Sequence, residues 1–290
     1  MTSLLDISEH TAIRDDFPSL VHGIQGIGSP QIIAMGTLGG NLECPFGVLL
    51  ALDLDQEFIN ETDRLKEAQA FAFIQCVGSR NPKIGNPYCS NICCMNTIKE
   101  AQYLKDNYPD TEITVFYMDL RAFGKGFEEL LMRSKSNGVR YLRGLPGEVR
   151  QDPDNGNLRV VVENTTANRL ENHEFDMLVL AVGATPATDT EAVRQLVSLS
   201  KAPSGFLKEA HAKLRPVDTP TKGVYIAGAA ESPKDVRESV TQASAAASRA
   251  SILLNKTRFA VEAITAIVDE DLCKMCGQCA DVCPFGAIQW

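Results

Sequence analysis

Residues 71–118 combine apolar runs with one helical pattern, and this combination restricts the fold more than any other stretch. FAFIQC and EITVFYMD are short apolar runs typical of buried strands, whereas SNICCMNTIKEAQYLKDNY has the spacing of an amphipathic helix. Two strands joined through a helix form a βαβ unit, in which the strands lie parallel. The sequence therefore predicts an α/β protein with a Rossmann-like parallel sheet.

Four of the nine cysteines lie in this unit, at Cys76, Cys89, Cys93 and Cys94. We expect Cys76 at the carboxyl end of the first strand and Cys89 near the start of the helix, with Cys93 one turn further on the same face. A dinucleotide-binding fold holds its pyrophosphate in this crevice, but here cysteines replace the G-x-G-x-x-G turn. The positive helix end can stabilise thiolates, which favours a metal or cluster site. A redox disulfide between Cys93 and Cys94, or buried core thiols, are the alternatives.

The C-terminal cysteines have a more specific pattern. Cys273, Cys276, Cys279 and Cys283 follow the C-x2-C-x2-C-x3-C-P spacing of bacterial ferredoxins. A zinc site usually has two separated C-x2-C pairs, so we expect a ferredoxin-like 4Fe-4S segment here. In two-cluster ferredoxins the fourth cysteine serves the other cluster, and no second motif of this kind is present. The fourth ligand of this cluster is therefore either Cys283 or another cysteine. Cys44, which precedes a proline, is one candidate; the alternative for Cys44 is a buried free thiol without a ligand role.

Composition limits the compartment and the partners. The chain has 290 residues, 44% of them hydrophobic, and a net charge of −9, which disfavours nucleic acid and anionic membrane surfaces. The N-terminus has no secretory pattern, and the longest apolar runs are too short for a membrane span. We therefore expect a cytoplasmic protein, in which nine cysteines do not form a disulfide framework.

The remaining pattern indicates further elements. GFEELLMRSKSNG predicts a helix, VRYLRG and FDMLVLAVG predict strands, and DPDNGN predicts the turn of a hairpin. A strand is expected to end at Gly228, before a long alanine-rich helix whose small residues suggest close packing. We predict four segments. Residues 1–70 are an N-terminal extension, and residues 71–180 are a Rossmann-like domain with the first cysteine site. Residues 181–255 are the C-terminal part of a flavin domain, and residues 256–290 are the ferredoxin-like segment.

Several stretches resemble the A subunit of heterodisulfide reductase, a flavin and iron-sulfur protein found in methanogens and many anaerobic bacteria. They are FIQCVGSR, GNPYCSNICCMNTIKEA, VFYMDLRAFGKGFEE and YIAGAAESPKDVRESVTQASAAASRA. The resemblance covers about residue 70 to residue 290. It implies that Cys76, Cys89, Cys93 and Cys94 bind a non-standard 4Fe-4S cluster in a thioredoxin-reductase-like domain close to FAD.

The resemblance also suggests flavin contacts. GVYIAGAAESPKD resembles the second flavin contact of two-domain flavoproteins, although Ala229 stands where an acidic residue usually follows Gly228. LVLAVGATP, with Gly183, resembles the junction between the two domains of such proteins; both could also be ordinary strand ends. The family further suggests that Lys99 approaches flavin N5 and influences the flavin electrostatically. The alternative is a solvated lysine on a helix.

One segment that the family's complete A subunit carries is missing from the sequence. GIQGIG has the wrong order for the G-x-G-x-x-G turn that holds the ADP part of FAD, and it runs into Ser29 and Pro30. We expect a split flavoprotein, in which a separate polypeptide supplies the ADP-binding half and FAD is shared. A remnant that binds flavin weakly is the alternative.

The predicted function is therefore electron transfer within a heterodisulfide-reductase-like complex, with two 4Fe-4S clusters, FAD and flavin-based bifurcation as a further possibility. Expected partners are B-type and C-type subunits and an electron-donor module, either hydrogenase, formate dehydrogenase or ferredoxin. Two other functions are weighed. One is an NAD(P)H-dependent disulfide reductase using Cys93 and Cys94, and the other is a non-catalytic iron-sulfur scaffold.

Overall fold

The computed structural model describes residues 31–32, 47–152, 154–187, 189–258, 267–283 and 288. Its strands are β1 Gln31–Ile32, β2 Val48–Leu50, β3 Ala70–Val77, β4 Glu112–Tyr117, β5 Arg140–Arg143, β6 Pro146–Gln151, β7 Leu158–Asn164, β8 Arg169–Phe175 and β9 Met177–Val182. Its α-helices are α1 Ala51–Asn60, α2 Asp63–Glu67, α3 Cys93–Asn107, α4 Phe127–Ser136, α5 Thr190–Leu196, α6 Val236–Leu254 and α7 Gln278–Asp281.

A five-stranded parallel sheet in the order β2-β9-β3-β4-β5 carries the first cysteine site. The central strand β3 is almost entirely buried, which its continuous apolar sequence requires in a sheet covered on both faces. The strands predicted from FAFIQC, EITVFYMD, VRYLRG and FDMLVLAVG are confirmed. The parallel α/β class is confirmed with them.

Two apolar layers cover this sheet. On one face Phe71 and Phe73 of β3 pack with Leu104 of α3, in the layer formed with the connecting helices. On the other face Ile74 packs with Val160 of β7, in the layer that β6, β7 and β8 cover. Alternation along β3 sends successive side chains to opposite layers. The carboxyl ends of β3 and β4 are left at one edge, where the cysteine loop begins.

The predicted hairpin is confirmed and is part of a larger antiparallel unit. β6 pairs with β7, and β7 pairs with β8, a strand that the sequence reasoning did not predict. β8 reads RLENHEF, and most of its side chains are exposed or half-buried. It has little apolar alternation to reveal it.

The chain divides into two compact units, Met1–Gly183 and Ala184–Trp290. The described residues between 47 and 69 form β2, α1 and α2, and β2 pairs with β9 of the parallel sheet. These residues therefore belong to the first unit, and β2 is part of its sheet. Within the part of the chain that the structure describes, no helix combines the length and apolar character that a membrane span requires.

The second unit has little regular structure before α6. The strand predicted to end at Gly228 is wrong: Tyr225 forms only an isolated bridge with Asp218, and Gly228–Ala230 is a 3-10 turn. Ile226 packs instead with Leu199 in a small apolar cluster. A strand needs a neighbour along its length, and the described residues of this unit supply none.

Helix α6 also differs from expectation. Asp235 accepts a hydrogen bond from the Glu238 N–H at 2.6 Å, and the Glu238 carboxylate accepts one from the Asp235 N–H at 3.2 Å. This capping box explains where the helix begins. Its small residues predicted close packing, yet none of its residues is buried among those described.

Helix α3 carries a buried carboxyl group whose pKa is raised by burial. Glu100 is 0% exposed, its Oε1 accepts a hydrogen bond from Asn96 Nδ2 at 2.5 Å, and its Oε2 has no partner in the described structure. Burial above all, and then the nearby Asp55 carboxylate, raise the pKa of Glu100 to about 8, although Lys99 and Asn96 lower it. Folding therefore favours the protonated form of Glu100.

Glu100→Gln should stabilise the protein increasingly with pH. A carboxyl whose pKa is raised by folding loses stability as pH rises from its unfolded pKa through the folded value of about 8. The amide cannot ionise. The difference in free energy of unfolding between variant and wild type should therefore grow between about pH 5 and about pH 8, by at most roughly 1.4 kcal/mol per pH unit.

Urea unfolding at several pH values would measure this difference. Glu112→Gln, at the exposed start of β4, is the matched control and should show no such trend. A pH-independent difference for Glu100→Gln would contradict the protonated state of the buried carboxyl.

Candidate metal centre

The carboxyl end of β3 is distorted at a cysteine. The pairing of β3 with β9 shifts register between Ile74 and Val77, and Cys76 between them has a φ of 61°. A left-handed conformation is unfavourable for a residue with a Cβ, and such positions concentrate at functional sites. The irregularity re-aims the side chain of Cys76, as bulges do, and ends the strand.

The N-terminus of α3 supplies the next two thiols. Cys93 and Cys94 are its first residues, and Ile92 before them makes no side-chain capping bond. The first turn contains no acidic residue. The positive end of this helix therefore faces thiols rather than a carboxylate, which favours their ionised form.

The structure brings three predicted ligands together. Cys76, Cys93 and Cys94 are 7%, 5% and 5% exposed, and the Cys93 thiol is within hydrogen-bonding reach of both other sulfurs, to one of which its single S–H can donate at a time. The bond from Cys93 lowers the pKa of Cys76, and it lowers that of Cys94 to about 6. The pKa of Cys93 itself is raised, mainly by the bond to Cys76 and then by that to Cys94. Buried sulfurs that share protons in this way have the chemistry of thiolate ligands, so these residues fit an iron-sulfur cluster.

Cys89 lies in the loop before α3 and not in the helix. It precedes α3 by four positions and accepts a hydrogen bond from the Asn91 N–H at 3.3 Å. The expectation that it shares a helical face with Cys93 is wrong, because Asn91 has a φ of 63° and the helix begins only at Cys93. Among the described residues, no group of three or more His, Cys, Asp or Glu side chains is arranged so that it could hold one metal ion.

Gly183 anchors the cysteine loop to the sheet. Its N–H donates to the Val77 carbonyl at 2.7 Å. A Cβ at this position would lie 2.9 Å from Ser79 Cβ, 3.0 Å from Ser90 Oγ and 3.1 Å from the Gly78 carbonyl oxygen. Glycine therefore lets both ends of the loop approach the last residue of the first unit.

A charged network beside the sulfurs was missed by the sequence reasoning. Arg80 donates from Nη1 and Nη2 to the two carboxylate oxygens of Asp119 at 2.6 and 3.0 Å, and its guanidinium also hydrogen-bonds Cys76. The Cys94 thiol lies 4.0 Å from the Asp119 carbonyl, and the Arg121 N–H hydrogen-bonds the Cys94 sulfur. The sequence did contain a signal for this ion pair. The adjacent parallel strands β3 and β4 end at the same edge of the sheet, and Arg80 follows β3 whereas Asp119 follows β4.

The ferredoxin-like cysteines are placed differently. Cys273, Cys276 and Cys279 are exposed and Cys283 is half-buried, and no disulfide joins any of the eight cysteines that the structure describes. The Met275 N–H donates to Cys273 Sγ at 3.4 Å, so the first loop already turns back on its sulfur. Cys44 and the proline after Cys283 lie outside the described residues.

Two of the predicted flavin residues lie in the second unit. Gly228 has a φ of 66°, and its N–H donates to Gln242 Oε1 at 2.6 Å. Ala229 is exposed. A cavity of about 360 Å³ lies beside α6, between Val217 and Lys234. Gly228 is buried, and its partner Gln242 lines this cavity. The Glu238 N–H is already bonded to Asp235, so this first-turn donor does not face a ligand.

Lys99 is paired within the first unit. Its Nζ lies 2.9 Å from Asp55 Oδ1 and 3.2 Å from Oδ2, and its side chain is 53% exposed. It therefore combines solvent exposure with a fixed partner on α1. Its approach to a flavin stays a prediction.

Comparison with known proteins first defines a class. Residues 266–289 match the family model described as the 4Fe-4S binding domain. The segment with the ferredoxin spacing is thus similar to 4Fe-4S binding domains.

Relatives with similar sequences indicate a more specific family. The chain is 48% identical over 225 residues to the second iron-sulfur A subunit of CoB–CoM heterodisulfide reductase from Methanopyrus kandleri, covering 77% of this chain and 34% of that protein. It is 52% identical over 218 residues to the A subunit of the H(2):CoB-CoM heterodisulfide,ferredoxin reductase from Methanothermobacter marburgensis, covering 75% and 33%. The chain is a homologue of the heterodisulfide reductase A subunit and spans about a third of the length of these relatives.

A solved structure was also compared. The crystal structure of Lactococcus lactis thioredoxin reductase aligns with a TM-score of 0.46 and 17% identity, covering 76% of this chain and 64% of that one.

Gly183→Ala should displace the cysteine loop. The new methyl group would stand 2.9 Å from Ser79 Cβ, and either the loop or β9 has to move. We expect a loss of about 1–3 kcal/mol in stability and a lower iron content. Thermal unfolding and iron analysis of anaerobically purified protein would measure both.

Gly147→Ala is the matched control, because a Cβ at Gly147 meets no atom within 4 Å. It should leave melting temperature and iron content near those of wild type. Equal behaviour of the two variants would show that Gly183 does not anchor the loop.

Proposed function

We propose that the chain is an electron-transfer subunit of a heterodisulfide-reductase-like complex, an oxidoreductase active only within that complex. The observation that carries this proposal is the set of three buried, hydrogen-bonded thiols at Cys76, Cys93 and Cys94. They lie at the carboxyl edge of a parallel sheet, where related folds hold a cofactor. Homology to the A subunit of heterodisulfide reductase over about three quarters of the chain supports the assignment.

The first cluster site uses four cysteines. Cys76, Cys93 and Cys94 supply thiolates already drawn together, and Cys89 supplies the fourth from the loop. A 4Fe-4S cluster bound here supplies one-electron transfer at low potential. The positive end of α3 and the Arg80 guanidinium balance the negative charge of the thiolates.

The second cluster site is the ferredoxin-like segment. Cys273, Cys276 and Cys279 supply three ligands, and Cys283 completes the set. The match of residues 266–289 to the 4Fe-4S binding domain supports this site. Two sites per chain provide a relay rather than a single redox centre, and two exits of different potential are what flavin-based bifurcation requires.

FAD is shared in this proposal. Gly228 and Ala229 of the second unit are proposed contacts of its isoalloxazine part, Gly183 is a separate proposed contact in the first unit, and the ADP-binding half comes from a partner chain. Partners of the B and C type and a donor module, either hydrogenase, formate dehydrogenase or ferredoxin, complete a cytoplasmic complex. The name of the Methanothermobacter marburgensis relative includes hydrogen, heterodisulfide and ferredoxin, which supports this choice. Stoichiometric FAD in the purified single chain would contradict the shared site.

Iron content tests the number of clusters. Wild type should contain about eight iron atoms per chain, and Cys94→Ser and Cys276→Ser should each retain about four, because each removes a ligand of a different cluster. Cys44→Ser should keep about eight. Anaerobic iron analysis with EPR spectra of the reduced protein would measure this.

About four iron atoms in the wild type, with Cys93 and Cys94 both reactive towards a thiol reagent, would instead support the NAD(P)H-dependent disulfide reductase. Clusters that are present but are not reduced during turnover would support a scaffold.

Lys99→Ala should make the flavin potential in the assembled complex more negative, because a cation close to flavin N5 stabilises the reduced, anionic flavin. Lys66→Ala is the matched control: Lys66 also pairs with an aspartate at 2.9 Å and is also about half exposed. Redox titration of the flavin absorbance would measure both. An unchanged potential in Lys99→Ala would leave Lys99 a surface ion-pair residue.

A further inference from the structure

Arg80 is fixed in place by contacts at both its main chain and its side chain. It has a φ of 55°, and its N–H donates to the Tyr88 carbonyl at 2.8 Å across the cysteine loop. Its side chain is 22% exposed and forms a two-point ion pair with Asp119. A paired guanidinium held in this way keeps its position better than a lone lysine would.

This fixed guanidinium contacts the sulfur of Cys76. Asp119, its partner, lies in the loop after β4, and the main chain of the same loop contacts Cys94 through the Asp119 carbonyl and the Arg121 N–H. One ion pair therefore joins the segment that carries Cys76 to the loop that contacts Cys94. Arg80 and Asp119 are 39 positions apart in sequence.

The local charge differs from that of the whole chain. Residues 76–94 contain Arg80 and Lys83 and no carboxylate, although the chain has a net charge of −9. In the loop after β4, Arg121 Nε lies 3.5 Å from Asp119 Oδ1, so Asp119 also pairs with a second cation. The sulfurs thus lie beside a cation whose charge one carboxylate reduces.

We propose that Arg80 is a positioning residue of the first cluster: it holds Cys76 in place, and its charge, reduced by Asp119, makes the reduction potential of that cluster less negative. The inference rests on the proposed function. Reduction adds one negative charge to a buried group, so a nearby cation stabilises the reduced state more than the oxidised state. Hydrogen bonds to cluster sulfurs act in the same direction.

Two substitutions should move the potential in opposite directions. Arg80→Gln removes the cation and should shift the potential of the first cluster to more negative values. At the wild-type midpoint, the ratio of reduced to oxidised cluster should fall about tenfold, which equals 59 mV for a one-electron couple. Asp119→Asn removes the opposing carboxylate and should shift the potential to less negative values. Arg80→Lys keeps the charge and should remain between Arg80→Gln and wild type.

EPR-monitored redox titration of the full chain, purified anaerobically, would measure these shifts. The ferredoxin-like cluster is an internal reference whose potential should not move. Arg140→Gln is the matched control, because Arg140 begins β5 and pairs with Thr114, away from the carboxyl edge where the cysteines lie. It should leave both potentials unchanged.

The outcomes separate the two proposals. If Arg80→Gln binds no first cluster, recovery of the cluster in Arg80→Lys and the opposite shift in Asp119→Asn would still support the inference. The inference about Arg80 would be overturned if the potential of the first cluster were unchanged in all three variants. It would also be overturned if Arg80→Gln and Asp119→Asn shifted that potential in the same direction. In both cases an iron content of about eight atoms per chain would leave the proposed function intact. A wild type without a first-cluster signal would overturn the proposed function, and the inference with it.

Discussion

The burial of three sulfurs at the end of β3 is the constraint on which the rest of the site depends. Cys76, Cys93 and Cys94 lie almost out of contact with water, where charged thiolates are costly. The structure compensates in three ways: the thiols share protons, the positive end of α3 faces them, and Arg80 contacts Cys76. The register shift in β3 and the close approach of Gly183 bring the groups within reach.

The same edge of a parallel sheet can serve a different chemistry. The first strand, its loop and the N-terminus of the next helix form an anion site in nucleotide-binding folds, because free N–H groups point there. Here the loop contributes sulfur in place of glycine-rich backbone. The helix end keeps its electrostatic role with another anion. A single exchange of residue types in the loop, on an unchanged βαβ frame, thus accounts for a redox site in our proposal.

Much of the first unit follows from local pattern, and its exceptions have physical causes. FAFIQC predicted β3 because a buried parallel strand needs a continuous apolar run, and the meeting of Cys76 with Cys93 followed from where β3 ends. The position of Cys89 outside the helix did not, since the chain between Cys89 and Cys93 passes through the left-handed Asn91. The contact of Arg80 with Asp119 joins distant residues, and the expected strand at Gly228 lacked a neighbour among the described residues. Both depend on tertiary structure that periodicity does not record.

The depth of the three sulfurs also bears on how the holoprotein is made. With exposures of 7% or less, Cys76, Cys93 and Cys94 offer almost no surface to an iron donor in the folded chain. Gly183 and the Arg80–Asp119 pair both fix the position of the loop between them. In our proposal, iron therefore has to reach these sulfurs before the loop folds or through its local unfolding. Maturation of the first site would then be a step of folding, whereas Cys273, Cys276 and Cys279 remain accessible afterwards.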